Sequence, residues 1–186
     1  RRFKNSGGRM ISFGIETSSS EGLKVLRKGS KVEQNKNALK WCRELGIETI
    51  ADFMLGLPHE KTKEDVKNSV KTLISYDPDF AQFGVLSLYP NTQVYDQAVE
   101  KGLIEKGKWN RWVQNPTTDF IVDHWNEHLT TRELQKLQKW AYLKFYFRLS
   151  TIWRMFVGLR SMYEFVTKVN RKIPSVGIEE PKFIYF

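Results

Sequence analysis

Cysteine is almost absent from this sequence of 186 residues, which contains only Cys42. One thiol excludes a disulfide within the chain, and it excludes a metal centre that several cysteines of this chain would hold. A single reduced thiol fits a reducing compartment, so we expect a cytoplasmic protein. Cys42 falls on the apolar side of a helical pattern, which predicts a core residue.

Long apolar runs and nucleotide-loop motifs are also missing. The N-terminus, RRFKNSGGRM, has no apolar segment of the kind found in signal peptides. The most apolar stretch, WAYLKFYFRLSTIWRMFVGL, is interrupted by Lys144, Arg148 and Arg154, which argues against a membrane span. Neither GxGxxG nor GxxxxGK[ST] occurs. The chain begins without methionine and in the middle of a pattern, so we expect a piece of a longer protein.

Acidic residues are scarce in one part of the chain only. Residues 131–186 hold 11 Lys and Arg against 4 Asp and Glu, whereas residues 1–130 hold 19 against 17. The C-terminal part therefore carries +7 of the net charge of +9, and an anionic partner is to be sought there. A hydrophobic content of 40% and an aromatic content of 13% are typical of a folded chain.

Three strand-then-helix units follow one another in residues 1–105. The strands are predicted at RMISFGIE (9–16), ETIADFML (48–55) and DFAQFGVLSLY (79–89), and a helical pattern follows each of them. Gly46 is expected to end the first helix and Thr62 to cap the second. Nearly continuous apolar strands separated by helices indicate a parallel α/β sheet, as in half of a (β/α) barrel or an open doubly wound sheet. Ligands then bind at the loops ETSSSE, GLPHE and YPNT, where the strands end.

Residues 106–186 form a second predicted part, with a Trp-rich connection and a basic, aromatic helical tail. Apolar residues from Leu134 to Val166 recur at helical spacing, which predicts one long helix or two helices broken near Gly158. The apolar stripe packs across the sheet, or it meets an apolar or anionic substrate or a membrane surface. Basic residues are scattered around the stripe, which favours packing.

Two carboxylates, Glu16 and Asp52, stand in or at the end of apolar strands, near the edge where ligands bind. A buried carboxylate without a partner costs several kcal/mol, so each of these side chains needs hydrogen-bond donors or a cation. Helix N-termini or a nearby lysine would satisfy them in a purely structural role. Alternatively, they bind hydroxyl or amino groups of a cofactor.

Three segments in order, FGIETSSSEGLKVLRKGS, IADFMLGLPHEKTKED and PDFAQFGVLSLYPNTQVYD, resemble the later strands of radical S-adenosylmethionine enzymes. The resemblance covers about residues 7–105 and is greatest to the branch with an N-terminal cobalamin-binding domain. It implies the C-terminal half of a partial TIM-type (β/α) barrel with a helical extension. It also implies S-adenosylmethionine, a 4Fe-4S cluster and, in this branch, cobalamin as cofactors. The implied partners are an electron donor and a small-molecule or lipid-like substrate; no nucleic acid is expected, and peripheral membrane contact is an alternative.

The same resemblance implies roles for individual residues. Glu16 approaches the ribose or methionine part of the cofactor, and Lys28 stands where relatives carry an arginine that pairs with the methionine carboxylate. Asp52 binds the ribose hydroxyls.

The remaining implied contacts come from two turns. Gly56 and Pro58 belong to a turn that lets the backbone approach the nucleoside. Leu88 and Tyr89 match the stretch whose backbone and apolar surface hold the adenine.

The family's CxxxCxxC motif, which binds the 4Fe-4S cluster, is absent from this sequence. The cluster ligands are therefore expected in a missing N-terminal half, and the chain alone is expected to be inactive. A degenerate barrel that binds a nucleoside or a partner without catalysis is the alternative.

Two other histidine motifs are weaker candidates. His59-Glu60 lacks the spacing of HExxH, so His59 is interpreted as a loop residue and Glu60 as the approach to a helix. His124, Glu127 and His128 spell HxxEH, a zinc-protease pattern, but in a segment that is predicted to be strand and loop.

Overall fold

The computed structural model describes residues 1–157, and it has an α/β architecture with a parallel sheet, as predicted. The described residues form three strands and eight helices, in the order α1 (Arg2–Asn5), β1 (Met10–Glu16), α2 (Ser20–Val25), α3 (Val32–Glu44), β2 (Glu48–Leu55), α4 (Lys63–Ser75), β3 (Phe80–Val85), α5 (Gln93–Glu100), α6 (Lys108–Gln114), α7 (Thr131–Tyr146) and α8 (Leu149–Val157).

The sheet has the order β1-β2-β3, and its two faces differ in burial. Residues of β2 alternate, so that Thr49, Ala51, Phe53 and Leu55 are buried while the residues between them are only partly covered. Asp52 belongs to the second set. The apparent paradox of an acid in a buried strand disappears because Asp52 lies on the more open face.

The helix and strand boundaries correct two predictions. The first helical pattern is divided into α2 and α3, because Arg27 and Gly29 adopt positive φ values of 49° and 68° between them. The third strand ends at Val85, since the chain leaves the sheet and Ser87 forms an antiparallel bridge with His124 instead. Helices α1 and α6 are additions that the apolar pattern did not indicate.

The predicted helix ends are confirmed. Gly46, with φ of 63°, follows the C-cap of α3, and this left-handed conformation suits glycine. The Thr62 hydroxyl accepts a hydrogen bond from the Asp65 N–H at the start of α4. Thr130 does the same for Glu133 at the start of α7, so Thr130 is the N-cap.

Helix α7 covers the outer edge of β3. The Tyr142 hydroxyl accepts from the Phe83 N–H at 3.1 Å and donates to the Phe83 carbonyl at 3.3 Å. Gln138 Nε2 donates to the same carbonyl at 2.7 Å. Burial raises the pKa of Tyr142, and the nearby Asp52 charge adds to the increase. These side chains satisfy edge groups of a strand that would otherwise face water or another strand.

The chain divides into two compact units, Arg1–Leu143 and one that begins at Lys144. The predicted boundary after residue 105 stays a prediction. The apolar pattern of the tail forms two helices, and the break lies at residues 147–148. Gly158, where a break was predicted, and the later positions of the stripe up to Val166 lie outside the described residues. No helix within residues 1–157 is long and apolar enough to cross a membrane.

Glu133 connects the first turns of α7 and α4, and acid should weaken this link. Its Oε1 lies 2.7 Å from Lys63 Nζ, and its Oε2 accepts from the Thr130 N–H at 3.0 Å. The Lys63 hydrogen bond, followed by those from Thr130, lowers the pKa of Glu133 from 4.5 to about 2. The folded state therefore binds fewer protons than the unfolded chain between these values, so this contribution is complete above pH 4.5 and is lost as the pH falls towards 2.

We expect Glu133→Gln to make the Tm depend less steeply on pH between 5 and 2, as measured by circular dichroism. Glu44→Gln is the matched control, because Glu44 forms only an exposed contact of 3.9 Å with Lys40. Parallel profiles for the wild type and Glu133→Gln would contradict the assignment.

Candidate cofactor-binding site

An ion pair lies at the carboxyl end of β1. Lys28 Nζ donates to Glu16 Oε1 at 2.7 Å, and the Glu16 side chain is 16% exposed. Both charged ends lie directly over Gly14: a Cβ atom built there would be 2.7 Å from Glu16 Oε1 and 2.8 Å from Lys28 Nζ. The absence of a side chain at Gly14 is what allows this pair to lie against the sheet.

The backbone on both sides of the pair is unusual, which explains how two distant residues meet. Glu16 has φ of 62°, and the pairing of β1 with β2 shifts register between Gly14 and Glu16. This bulge turns the last side chain of the strand. Lys28 follows the end of α2, where its N–H donates to the Leu23 carbonyl at 3.0 Å and Arg27 is left-handed. A strained carboxylate at a strand end is typical of functional sites.

Asp52 lies beside this pair on the next strand. Gly14 pairs with Asp52, and Asp52 pairs with Gln82, so the three residues form one row across the sheet. The Ser12 hydroxyl donates to Asp52 Oδ2 at 2.8 Å. Ser12 and Gln82 are both exposed, which leaves polar side chains around Asp52 that solvent or a ligand can reach.

The turn after β2 is held by Glu60. Its Oε2 accepts from the Gly56 N–H at 2.8 Å and from the Leu57 N–H at 3.1 Å, and the residue is 2% exposed. Glu60 precedes α4, which begins at Lys63, as interpreted from the sequence. Its role is to fix the backbone of the predicted turn.

The other residues of that turn are partly or fully buried. Gly56 adopts φ of 77°, Pro58 is half-buried, and His59 occupies the loop as interpreted. Both ring nitrogens of His59 are buried without a hydrogen-bond partner in residues 1–157. The Gly56 and Leu57 N–H groups, in the turn that the resemblance places next to the nucleoside, are engaged with Glu60.

Leu88 and Tyr89 lie beyond β3 in different environments. Leu88 is fully buried in a cluster with Leu86 and Trp125, and its carbonyl accepts from the Trp109 indole N–H at 3.2 Å. Tyr89 is 45% exposed, and its ring centroid is 5.5 Å from that of Trp109. Of the two residues, Tyr89 therefore has the side chain that a ligand can contact.

The rings near Tyr89 form an aromatic cluster, which we define as Tyr89, Trp109, Trp112 and Phe120. The Trp109 centroid is 4.8 Å from that of Phe120, and the Trp112 centroid is 4.7 Å from it. Trp109 is oriented by its bond to Leu88, and the Trp112 indole donates to the Thr117 carbonyl at 3.0 Å. The rings meet at interplanar angles between 31° and 90°, and each ring is at least partly exposed beyond the end of β3.

The carboxyl edge of the sheet thus combines an ion pair, a carboxylate with a hydroxyl neighbour, and an aromatic cluster. An ion pair can bind a zwitterion by exchanging partners, and a carboxylate suits a vicinal diol. Sequence reasoning brought Glu16, Lys28 and Asp52 to one edge but missed Ser12 and Gly14. The available signal was the spacing of Ser12, Gly14 and Glu16, which lie two residues apart and therefore on the same face of a strand.

The remaining metal candidates lie elsewhere. Cys42 is buried in α3, as predicted, and burial raises the pKa of its thiol. His124 contacts the Leu86 carbonyl at 3.1 Å through Nδ1, and Glu127 pairs with Lys101 at 2.5 Å. Residues 1–157 contain no group of three or more His, Cys, Asp or Glu side chains placed to hold a metal ion.

A family model and several known proteins are similar to this chain. Residues 1–73 match the family model of the Radical SAM superfamily. An uncharacterized methyltransferase of Pyrococcus horikoshii is 30% identical over 148 residues, which is 80% of this chain and 31% of that protein. The anaerobic magnesium-protoporphyrin IX monomethyl ester cyclase of Rubrivivax gelatinosus is 28% identical over 99 residues, or 53% of this chain and 18% of the cyclase.

A third relative is the bacteriochlorophyllide d C-8(2)-methyltransferase of Chlorobaculum tepidum, which is 24% identical. The aligned region covers 60% of this chain and 25% of the methyltransferase. Among solved structures, Elp3 of Methanocaldococcus infernus with an N-terminal deletion aligns with a TM-score of 0.49 at 20% identity, over 54% of this chain and 24% of Elp3. The chain spans less than a third of the length of each of these proteins.

Proposed function

Because the chain belongs to the radical S-adenosylmethionine superfamily, we propose that the open face of its sheet binds S-adenosylmethionine for a methyl transfer or a cyclisation. The observation that carries the proposal is that Asp52 pairs with Gly14 of the neighbouring strand, and that the Glu16–Lys28 ion pair lies over Gly14 near the carboxyl edge of the sheet. Parallel α/β sheets bind their ligands at this edge.

The chemistry of the side chains matches the cofactor. S-adenosylmethionine carries a ribose diol at one point and an amino acid zwitterion at another. Asp52 would accept hydrogen bonds from the diol, with Ser12 orienting its carboxylate. Glu16 would pair with the amino group and Lys28 with the carboxylate, so that each charge of the ion pair gains a new partner.

The iron–sulfur cluster that the family implies does not fit the residues of this chain. A 4Fe-4S cluster of this type needs three thiolates, and the sequence contains one cysteine, buried in α3. We therefore infer that the cluster ligands, the contact with an electron donor and any cobalamin site belong to other parts of a longer protein, and that the chain alone lacks radical chemistry.

The aromatic cluster supports a substrate class. The three rings of Trp109, Trp112 and Phe120 pack together beyond β3, beside the half-exposed Tyr89. Partly exposed aromatic rings offer faces and edges on which a planar, apolar ring system can pack. Two relatives are named for magnesium-protoporphyrin IX monomethyl ester and for bacteriochlorophyllide d as the molecules they act on. We propose a planar macrocycle or another apolar molecule as the substrate, placed next to Tyr89.

The proposal is tested by expressing the complete reading frame that contains this chain, without oxygen, and supplying S-adenosylmethionine with a reductant. Formation of 5′-deoxyadenosine or S-adenosylhomocysteine is expected. If neither product forms in a preparation whose cluster is present by absorbance, the enzymatic function is wrong. Retained nucleoside binding in that preparation would instead favour the non-catalytic binding module, which the single cysteine also allows.

Asp52→Asn should weaken S-adenosylmethionine binding to that complete protein about tenfold, as measured by calorimetry. The change keeps the size of the side chain but removes the negative charge that strengthens the hydrogen bonds from the ribose hydroxyls. A hydrogen bond to a charged group contributes about 1.5–3 kcal/mol. Gln82→Ala, in the same row but without a charge, is the control and should change the affinity less. An unchanged affinity in Asp52→Asn would leave Asp52 a structural residue.

A further inference from the structure

Three large apolar side chains are exposed within seven residues of the second unit. Phe147 is 73% exposed, Leu149 is 85% exposed and Trp153 is 70% exposed. Leu149 and Trp153 lie one turn apart in α8, so they share one side of that helix. Single exposed apolar residues are common on protein surfaces, but a group of three is typical of a binding surface. We call these three residues the tail face.

The sequence on either side of the tail face carries charge of one sign. Residues 134–163 contain six Lys and Arg and no Asp or Glu. Lys144 is exposed, and Arg148 stands between Phe147 and Leu149 in the chain, with its guanidinium 4.1 Å from the centroid of the buried Phe145 ring. The surface is therefore both apolar and cationic.

We propose that the tail face docks on the surface of a bilayer that contains anionic lipids, with α8 lying in the interface. Exposed tryptophan and leucine side chains enter the boundary between headgroups and acyl chains, and each Lys or Arg near an anionic surface contributes about 1 kcal/mol. Trp153 suits this boundary because indole combines an apolar ring with a polar N–H.

Other occupants fit the same surface less well. Two copies that meet through this face would bring two cationic segments together without acidic partners. A nucleic acid would neutralise the cations but would leave the aliphatic Leu149 side chain in water. The proposal does not depend on S-adenosylmethionine binding, since it uses none of the residues assigned to that cofactor.

The experiment is co-sedimentation of the complete protein with vesicles of phosphatidylcholine alone or of phosphatidylcholine with phosphatidylglycerol. We expect binding to the anionic vesicles, reduced by high salt, and little binding to the neutral ones. Trp153→Asp and Leu149→Asp should each lower the partition coefficient roughly tenfold, since each replaces an apolar contact by a charge that anionic lipid repels.

Trp41→Asp is the matched control, because Trp41 is 59% exposed on α3 and lies outside the tail face. It should bind vesicles like the wild type. Equal binding of the wild type and Trp153→Asp would overturn the proposal, as would equal binding of the wild type to neutral and anionic vesicles. A shift of the wild type, but not of Leu149→Asp, to a dimer in sedimentation velocity without vesicles would assign the face to a second copy instead.

Discussion

Gly14→Ala should lower the affinity of the complete protein for S-adenosylmethionine about a hundredfold while leaving its Tm nearly unchanged. The new methyl group would lie 2.7 Å from Glu16 Oε1 and 2.8 Å from Lys28 Nζ, both closer than van der Waals contact allows. These atoms are the ends of flexible side chains, so they can move at little cost in folding free energy. The pair must then leave its place beside Asp52, which removes charged contacts to the methionine end worth about 2.7 kcal/mol in total.

Gly84→Ala is the matched control for this prediction. Gly84 is also a glycine within a strand, in β3, and a Cβ atom built there meets no other atom within 4 Å. It should bind S-adenosylmethionine like the wild type in the same calorimetric titration. If Gly14→Ala and Gly84→Ala bound the cofactor equally well, the Glu16–Lys28 pair would be a structural ion pair only.

Glu60→Ala should destabilise the protein by about 3 kcal/mol, the largest loss of stability that we expect from a single exchange in the site. The exchange removes the acceptor of two buried N–H groups, those of Gly56 and Leu57. Each buried donor left without a partner costs about 1–3 kcal/mol. For a chain of this size, a loss of 3 kcal/mol lowers the Tm by on the order of 10 °C, which calorimetry or circular dichroism resolves.

Two further variants separate this effect from a simple loss of charge. Glu60→Gln keeps an acceptor oxygen in the turn, so we expect a smaller decrease in Tm than for Glu60→Ala. Glu64→Ala removes a carboxylate that pairs with Lys71 at the surface, and it should leave the Tm unchanged. A Tm of Glu60→Ala equal to that of the wild type would mean that the turn keeps its conformation without the carboxylate.

The parallel sheet and the helix ends were predictable because each depends on local patterns. The second strand was predicted with its observed bounds, since apolar residues and flanking turn signals define it at both ends. Thr62 and Gly46 act within one turn of the backbone, so their roles follow from residue type alone.

Contacts between residues that are distant in the sequence were harder to predict from the sequence. Lys28 was assigned to a bound carboxylate by resemblance, but its contact with Glu16 depends on the left-handed Arg27 and on the bulge of β1. The third strand was predicted too long because Leu86 and Leu88 are apolar, although they pack in a separate cluster beyond the sheet. Burial alone does not distinguish a strand from an extended loop with a core of its own.

The covering of β3 by Tyr142 and Gln138 also decides how this sheet can grow. Among the described residues β1 pairs with β2 only, so the sheet has one protected edge and one that can accept a strand. A unit with two open edges polymerises without limit, whereas a unit with one open edge stops growing after a single addition. Tyr142→Phe combined with Gln138→Ala would remove the side-chain hydrogen bonds to Phe83 and thereby weaken the protection of that edge.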